Sequence, residues 1–129
     1  MTEQEIDYGF FQIDWIRENR VWDGAKVRVI REFSAHDEGC KCLGTDSIID
    51  PDKVVGSIFT VRNVVPNGIN LLGAKVKRPD GSIIDWFTAP YSALEVVEPY
   101  NGEKDFGTIC DGVLHEYRHC LENFCKPDN

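Results

Sequence analysis

Five short apolar runs, separated by turn residues, constrain the fold of this chain more than any other feature. They lie between Lys26 and Val97 of a chain of 129 residues. Apolar and polar residues alternate in them, as in strands with one buried face. Two of the separators are Pro-Asn-Gly at 66–68 and Pro-Asp-Gly at 79–81, which suit tight turns. The pattern predicts a small closed β-barrel of five strands formed by residues 21–100.

Two segments outside the predicted barrel have the periodicity of amphipathic helices. In the N-terminal arm, residues 1–20, apolar side chains recur at spacings of three and four over residues 3–19, which predicts a helix. The C-terminal arm, residues 101–129, shows a similar pattern over residues 105–125 and is expected to pack on the barrel. The predicted fold is therefore mainly β, with two added helices (α+β), in a single domain. The apolar stripe expected of the first helix is Ile6, Phe10, Ile13 and Ile16, widened by Phe11 and Trp15.

Acidic residues are concentrated in the two arms. The net charge is −8, and residues 1–20 and 101–129 carry −3 each, which leaves −2 for the predicted barrel. Proteins that bind duplexes use Lys and Arg to displace counterions from phosphates, so direct nucleic-acid binding is not expected. Acidic arms can dock on a basic protein surface, mimic nucleic acid there, or simply keep a protein soluble. The sequence leaves these three roles open.

The sequence also bears on the cellular compartment. Its first residues lack the apolar core of a secretory signal, and no apolar run approaches the roughly 20 residues of a membrane helix. We therefore expect a cytoplasmic protein without membrane contact. Its five cysteines are then expected to be thiols rather than disulfides, with Cys110 and Cys120 as small core residues.

Four residues could together hold a structural zinc ion. Cys40 and Cys42 lie in the long loop between the first two predicted strands, and His115 and His119 are one turn apart on the predicted C-terminal helix. Thiolate and imidazole are the ligands that structural zinc prefers. The Cys-x-Cys spacing is tighter than that of usual zinc knuckles, so no cofactor is expected, and structural zinc is the alternative.

Two weaker patterns concern catalysis. His115, Glu116 and His119 fit the His-Glu-x-x-His motif of zinc hydrolases, in which the glutamate is the general base. A barrel of this size leaves little room for a third ligand and a substrate cleft, and the motif also arises in solvated helix faces. His36 and Cys40 form a conceivable nucleophilic pair, but no orienting group or oxyanion donor accompanies them. The sequence therefore favours a protein that is not an enzyme.

The barrel segment resembles a known family. Its opening strand is Gly-Ala-Lys-Val-Arg-Val at 24–29, Gly56 precedes a later strand, and Tyr-Ser-Ala-Leu-Glu-Val-Val at 91–97 closes it. These segments resemble SH3-like barrels, in particular KOW-type modules and the accessory subunits of photosystem I and ferredoxin–thioredoxin reductase. The ALYDY-type signature of proline-peptide-binding SH3 domains is absent. The resemblance implies an interaction module, and neither helical arm belongs to the common barrel.

Aromatic residues near the closing strand are the predicted partner-binding site. Trp86 and Phe87 are consecutive, so one should point inward and the other outward. An outward Trp86 beside Tyr91, with Asp37 and Glu38 from the long loop, would suit a protein interface, whose hot spots favour Trp and Tyr. The predicted function is that of an accessory, regulatory or inhibitory protein, the last including a phage or mobile-element inhibitor. Both a monomer and a homodimer are compatible with the sequence.

Overall fold

The structure of the protein, a computed structural model, describes residues 3–33, 54–66, 68–77 and 80–123. These residues form a five-stranded antiparallel sheet, two α-helices and a short 3₁₀ turn. The elements in chain order are α1 (Glu3–Asn19), β1 (Lys26–Val29), β2 (Ile58–Val65), β3 (Gly68–Lys77), β4 (Ile83–Ala89), the 3₁₀ turn (Tyr91–Ala93), β5 (Leu94–Glu98) and α2 (Phe106–Asn123). The five predicted strands and both predicted helices are confirmed. Helix and strand occupy similar shares of these residues, 38% and 35%, so the fold is α+β rather than mainly β.

The strands follow the order β4-β3-β2-β1-β5 across the sheet. β2 is shared between the two halves, because Thr60 pairs with Lys26 of β1 on one side and with Leu72 of β3 on the other. A register shift follows in β2 between Val61 and Asn63. Among the described residues the sheet is open, with β4 and β5 as its two edges. Closure into a barrel therefore stays a prediction.

One face of the sheet forms the core together with both helices. Phe87 of β4 is fully buried and contacts the ring of Phe59 at 5.0 Å and that of Phe33 at 6.3 Å between centroids. From the helices, Ile13, Ile16, Val113 and Tyr117 join the same cluster. Helices and sheet thus share one apolar interior.

α1 buries only part of the predicted apolar stripe. Ile13 and Ile16 are buried as expected, but Phe10 is 36% and Phe11 is 59% exposed, whereas Gln12 is buried. Apolar residues occur on several sides of this helix, and only the position of the sheet and α2 decides which side is covered. The helix ends where Arg20 adopts a left-handed conformation and the Val21 N–H donates to the carbonyl oxygen of Ile16, as in a Schellman motif.

α2 packs through one apolar side, as its periodicity predicts. Asp105 precedes the helix, and its Oδ2 accepts from the backbone N–H of Thr108 at 3.1 Å and from its hydroxyl at 2.9 Å, which caps the first turn. The buried residues of α2 are Phe106, Cys110, Val113, Tyr117 and Cys120. Neither helix, within the described ranges, is long and apolar enough to cross a membrane.

Candidate functional site

Tyr91, one of the predicted site residues, lies on the 3₁₀ turn and packs against α1. The centroid of its ring is 4.9 Å from that of Tyr8 and 5.8 Å from that of Trp15. The backbone N–H of Tyr91 donates to the hydroxyl of Tyr8 at 3.1 Å. The sequence did not indicate this contact, because α1 and the turn are far apart along the chain. Tyr91 is therefore half-buried by the N-terminal arm rather than standing alone on the sheet.

These rings belong to a larger aromatic surface on α1. Tyr8, Phe11 and Trp15 are separated by three and four residues, so they lie along one side of the helix. We call these three residues, together with Tyr91, the aromatic strip. Tyr8 is buried, Trp15 and Tyr91 are half-buried, and Phe11 is 59% exposed. The strip is thus anchored at its inner side and open to solvent at Phe11.

Acidic side chains border the exposed end of the strip. Asp7 lies four residues before Phe11, and Asp14 and Glu18 lie three and seven residues after it; all three are exposed. At these spacings they lie on the side of α1 that carries Phe11. We call these three residues the acidic rim. Arg17 approaches Asp14 at 3.9 Å between solvent-exposed groups, a contact of little stabilising value. The strip therefore has an apolar centre and a negative border.

Trp86, the second predicted site residue, lies on β4. Phe87 is buried and Trp86 is half-buried, which confirms that these neighbours point to opposite sides. The guanidinium carbon of Arg62 lies 5.0 Å from the centroid of the Trp86 ring, within the range of a cation–π contact. The Trp86 ring thus contacts an arginine side chain, whereas the Tyr91 ring packs against aromatic side chains of α1.

A polar network crosses the three strands β2, β3 and β4. Asn70 Nδ2 donates to Asn63 Oδ1 at 2.7 Å, and the Thr88 hydroxyl donates to Asn70 Oδ1 at 2.6 Å. Asn70 is only 6% exposed, so these bonds satisfy a buried amide. We interpret the network as structural. The sequence does not reveal it, because its members meet only through strand register.

The predicted metal ligands are only partly described. Cys40 and Cys42, like the predicted site residues Asp37 and Glu38 and the nucleophile candidate His36, lie outside the described residues. His115 and His119 are exposed on α2. Asn123 Nδ2 lies 3.1 Å from His119 Nδ1. Within the described ranges no group of three or more His, Cys, Asp or Glu side chains is placed to hold a metal ion.

Glu116, the general base of the alternative hydrolase, lines a small cavity between α1, α2 and the β2–β3 hairpin. Gln12, Val65, Pro66 and Tyr117 are among the other residues around it. Its volume is about 10 Å³, which is close to the minimum for one water molecule. This cavity is far too small to hold a peptide substrate.

Gln12 is a buried polar side chain beside this cavity. Its Nε2 donates to the carbonyl oxygen of Val65 at 2.8 Å, and the side chain is 1% exposed. Among the described residues, no donor reaches its Oε1. Through its amide nitrogen, Gln12 therefore holds α1 to the end of β2.

Cys110 and Cys120 are buried and neither forms a disulfide. Burial raises the pKa of the Cys110 thiol, and the nearby Arg17 offsets this only in part. A thiol of raised pKa is a poor nucleophile, because the thiolate is the reactive form. The two residues act as small core side chains, as the sequence predicts.

No protein-family model, curated protein or solved structure matches this chain.

Proposed function

We propose that this chain is a protein-binding module and that the aromatic strip is its main contact surface. The observation that carries the proposal is the Phe11 ring, which is 59% exposed on the side of α1 that also carries the half-buried ring of Trp15. Exposing a large aromatic side chain forgoes the free energy of its burial. Interfaces are enriched in aromatic residues, and hot spots favour Trp and Tyr. A partner that covers the strip would recover that burial.

The strip is also held rigidly before any partner arrives. α1 is fixed from its opposite side by Ile13 and Ile16 in the core, and Gln12 ties it to the carbonyl oxygen of Val65. Tyr8 holds the 3₁₀ turn through its hydroxyl. A preorganised surface loses less conformational entropy on binding than a mobile one. This rigidity suits an accessory, regulatory or inhibitory protein that works by contact.

The scaffold we propose is an SH3-like barrel carrying two extra helices. Support comes from the antiparallel order β4-β3-β2-β1-β5, from the sharing of β2 between both halves of the sheet, and from the one-turn 3₁₀ helix between β4 and β5. In this arrangement the 3₁₀ turn and α1 form one continuous surface. The N-terminal arm is then part of the binding surface rather than an appendage.

Trp86 and Arg62 form a second contact region in the proposal. Trp and Arg are among the residue types enriched in hot spots, and here the guanidinium already lies over the ring.

The function is tested by affinity capture with a matched pair of variants. Phe11→Ala removes the exposed ring of the strip, and Ile83→Ala removes a side chain that is 67% exposed on β4. Both are surface truncations, so the free energy of unfolding should change by no more than about 0.5 kcal/mol. We expect Phe11→Ala to lose at least tenfold in affinity for the captured protein and Ile83→Ala to retain it. Retention of the partner by Phe11→Ala would remove the strip from the interface.

A further inference from the structure

The carboxylates of the acidic rim contribute little to the stability of the fold. Asp14 and Glu18 are four residues apart on α1, and like charges at that spacing destabilise a helix. Arg20, the next cation along the chain, points elsewhere, with its guanidinium carbon 4.8 Å from the centroid of the Phe106 ring. In the described part of the chain, Arg17 makes the one ion pair to the acidic rim. Asp7 and Glu18 are thus exposed carboxylates without an ion-pair partner there.

The aromatic strip and the acidic rim together suit the binding of an arginine side chain. An arginine that lies over Phe11 or Trp15 would place its guanidinium within reach of the acidic rim. Guanidinium groups stack on aromatic faces and bind carboxylates through two parallel hydrogen bonds. The chain already shows this stacking twice, at Trp86 and at Phe106. Lysine can also contact an aromatic face and a carboxylate, but its compact, strongly hydrated ammonium group lacks the planar fork of arginine.

We propose that the aromatic strip and the acidic rim together bind an Arg- or Lys-rich segment of the protein partner. This inference rests on the proposed function and names the chemistry of the occupant. The acidic rim disfavours phosphate backbones and anionic lipid surfaces. A second copy of this chain, with its net charge of −8, is disfavoured by mutual repulsion. A basic protein segment is the occupant that matches both the apolar centre and the negative border.

The probe for the test is a synthetic octapeptide of alternating Gly and Arg, titrated into isotope-labelled protein and followed by NMR. Two comparison peptides replace every arginine with neutral citrulline or with glutamate. We expect the arginine peptide to shift resonances of α1 and the 3₁₀ turn. The citrulline and glutamate peptides should bind at least tenfold more weakly. Affinity for the arginine peptide should also fall when salt is raised from 50 to 200 mM, because exposed charges are screened.

A pair of variants with equal net charge separates a local site from general attraction. Asp7→Asn combined with Glu18→Gln removes two of the three charges of the acidic rim, and Asp111→Asn combined with Glu122→Gln removes two exposed charges of α2. We expect about a fivefold loss of affinity for the first variant, as for the removal of two exposed ion pairs. The second variant should bind nearly as well as the parent protein.

Several results would overturn the inference. Equal weakening in both charge variants would show a nonspecific effect of net charge, and equal binding of the citrulline peptide would show apolar recognition. Failure of the arginine peptide to bind at millimolar concentration would also overturn it.

If Phe11→Ala loses the captured partner while the rim variant keeps it, the proposed function stands and the basic occupant is wrong. If Phe11→Ala keeps the partner while the peptide results hold, the proposed function is the part that fails.

Discussion

Gly9 occupies a helical position although glycine has a low helix propensity. It lies in the middle of α1, where glycine costs about 1 kcal/mol relative to alanine. A Cβ at this position would lie far inside van der Waals contact of the Tyr117 ring. That ring cannot move aside easily, because it is 1% exposed and its hydroxyl donates to the carbonyl oxygen of Ile6 at 2.6 Å. Gly9 is what allows α1 and α2 to approach.

Two glycine substitutions in helices should therefore have opposite effects on stability. We expect Gly9→Ala to lower the free energy of unfolding by about 1–3 kcal/mol through overpacking against Tyr117. Gly112→Ala in α2, where a Cβ would meet nothing within 4 Å, should raise it by about 0.5–1 kcal/mol. Urea denaturation of both variants measures the difference. Stabilisation by both substitutions would mean that the helices do not pack through Gly9.

At the scale of elements, the start of α2 depends on a titratable cap. Asp105 is the N-cap of α2 through its bonds with Thr108. The side-chain hydrogen bond from Thr108, followed by the backbone bond from the same residue, lowers the pKa of Asp105. A lowered pKa in the folded state means that the ionised cap stabilises the fold above the unfolded pKa. This stabilisation is lost as the pH falls through the folded pKa.

Asp105→Asn should separate the charge of the cap from its geometry. Asparagine is about as good an N-cap as aspartate, but it does not titrate and carries no charge to favour the helix N-terminus. We expect the parent protein to be more stable than the variant at pH 7. This advantage should shrink below about pH 4, near the ordinary pKa of aspartate, and vanish at lower pH. Urea midpoints measured from pH 7 to pH 2.5 give the curve. A difference that stays constant over this range would contradict the assignment.

The exposed face of α2 carries the two histidines that both zinc hypotheses use. His115 and His119 are both exposed, and surface substitutions usually change stability by less than about 0.5 kcal/mol. We expect His115→Gln combined with His119→Gln to leave the unfolding free energy within that range, both with and without a chelator. A loss of several kcal/mol that a chelator reproduces in the parent protein would instead establish a structural zinc ion. Native mass spectrometry would then show the extra mass of the metal.

At the scale of the whole molecule, stability depends on a core shared by both helices and the sheet. Residues of α1, the sheet and α2 belong to one cluster of buried side chains. Ile16 of α1 and Tyr117 of α2 are both essentially buried in this cluster, so removing either helix would expose large apolar side chains. Because every element loses apolar contacts when one leaves, we infer that helices and sheet unfold together.

Thermal or urea unfolding should accordingly show a single transition. We expect tryptophan fluorescence, which reports on Trp15 and Trp22 near α1 and on Trp86 in β4, to coincide with far-ultraviolet circular dichroism. Noncoincident curves, with Trp15 reporting an earlier step, would show that α1 separates before the sheet melts. The aromatic strip would then not be preorganised, and that argument for a rigid binding surface would fail.

The sequence by itself located the elements. α1 was predicted at residues 3–19 and is found at Glu3–Asn19, and α2 and the five strands also match their apolar patterns. These patterns depend on neighbours along the chain, as does the β2–β3 hairpin, in which Val65 pairs with Gly68. Helix periodicity, strand alternation and turn chemistry are local properties, so a single sequence is enough to indicate them.

Only the tertiary structure decided what those elements expose. Phe10, Phe11, Ile13 and Ile16 give α1 more than one apolar side, and periodicity alone cannot choose among them. Packing against the sheet and α2 buried Ile13 and Ile16 and left Phe11 in solvent. The same packing brought Tyr8 and Trp15 to Tyr91 and required a glycine opposite Tyr117. These contacts join residues distant along the chain, so they arise only once the elements pack together.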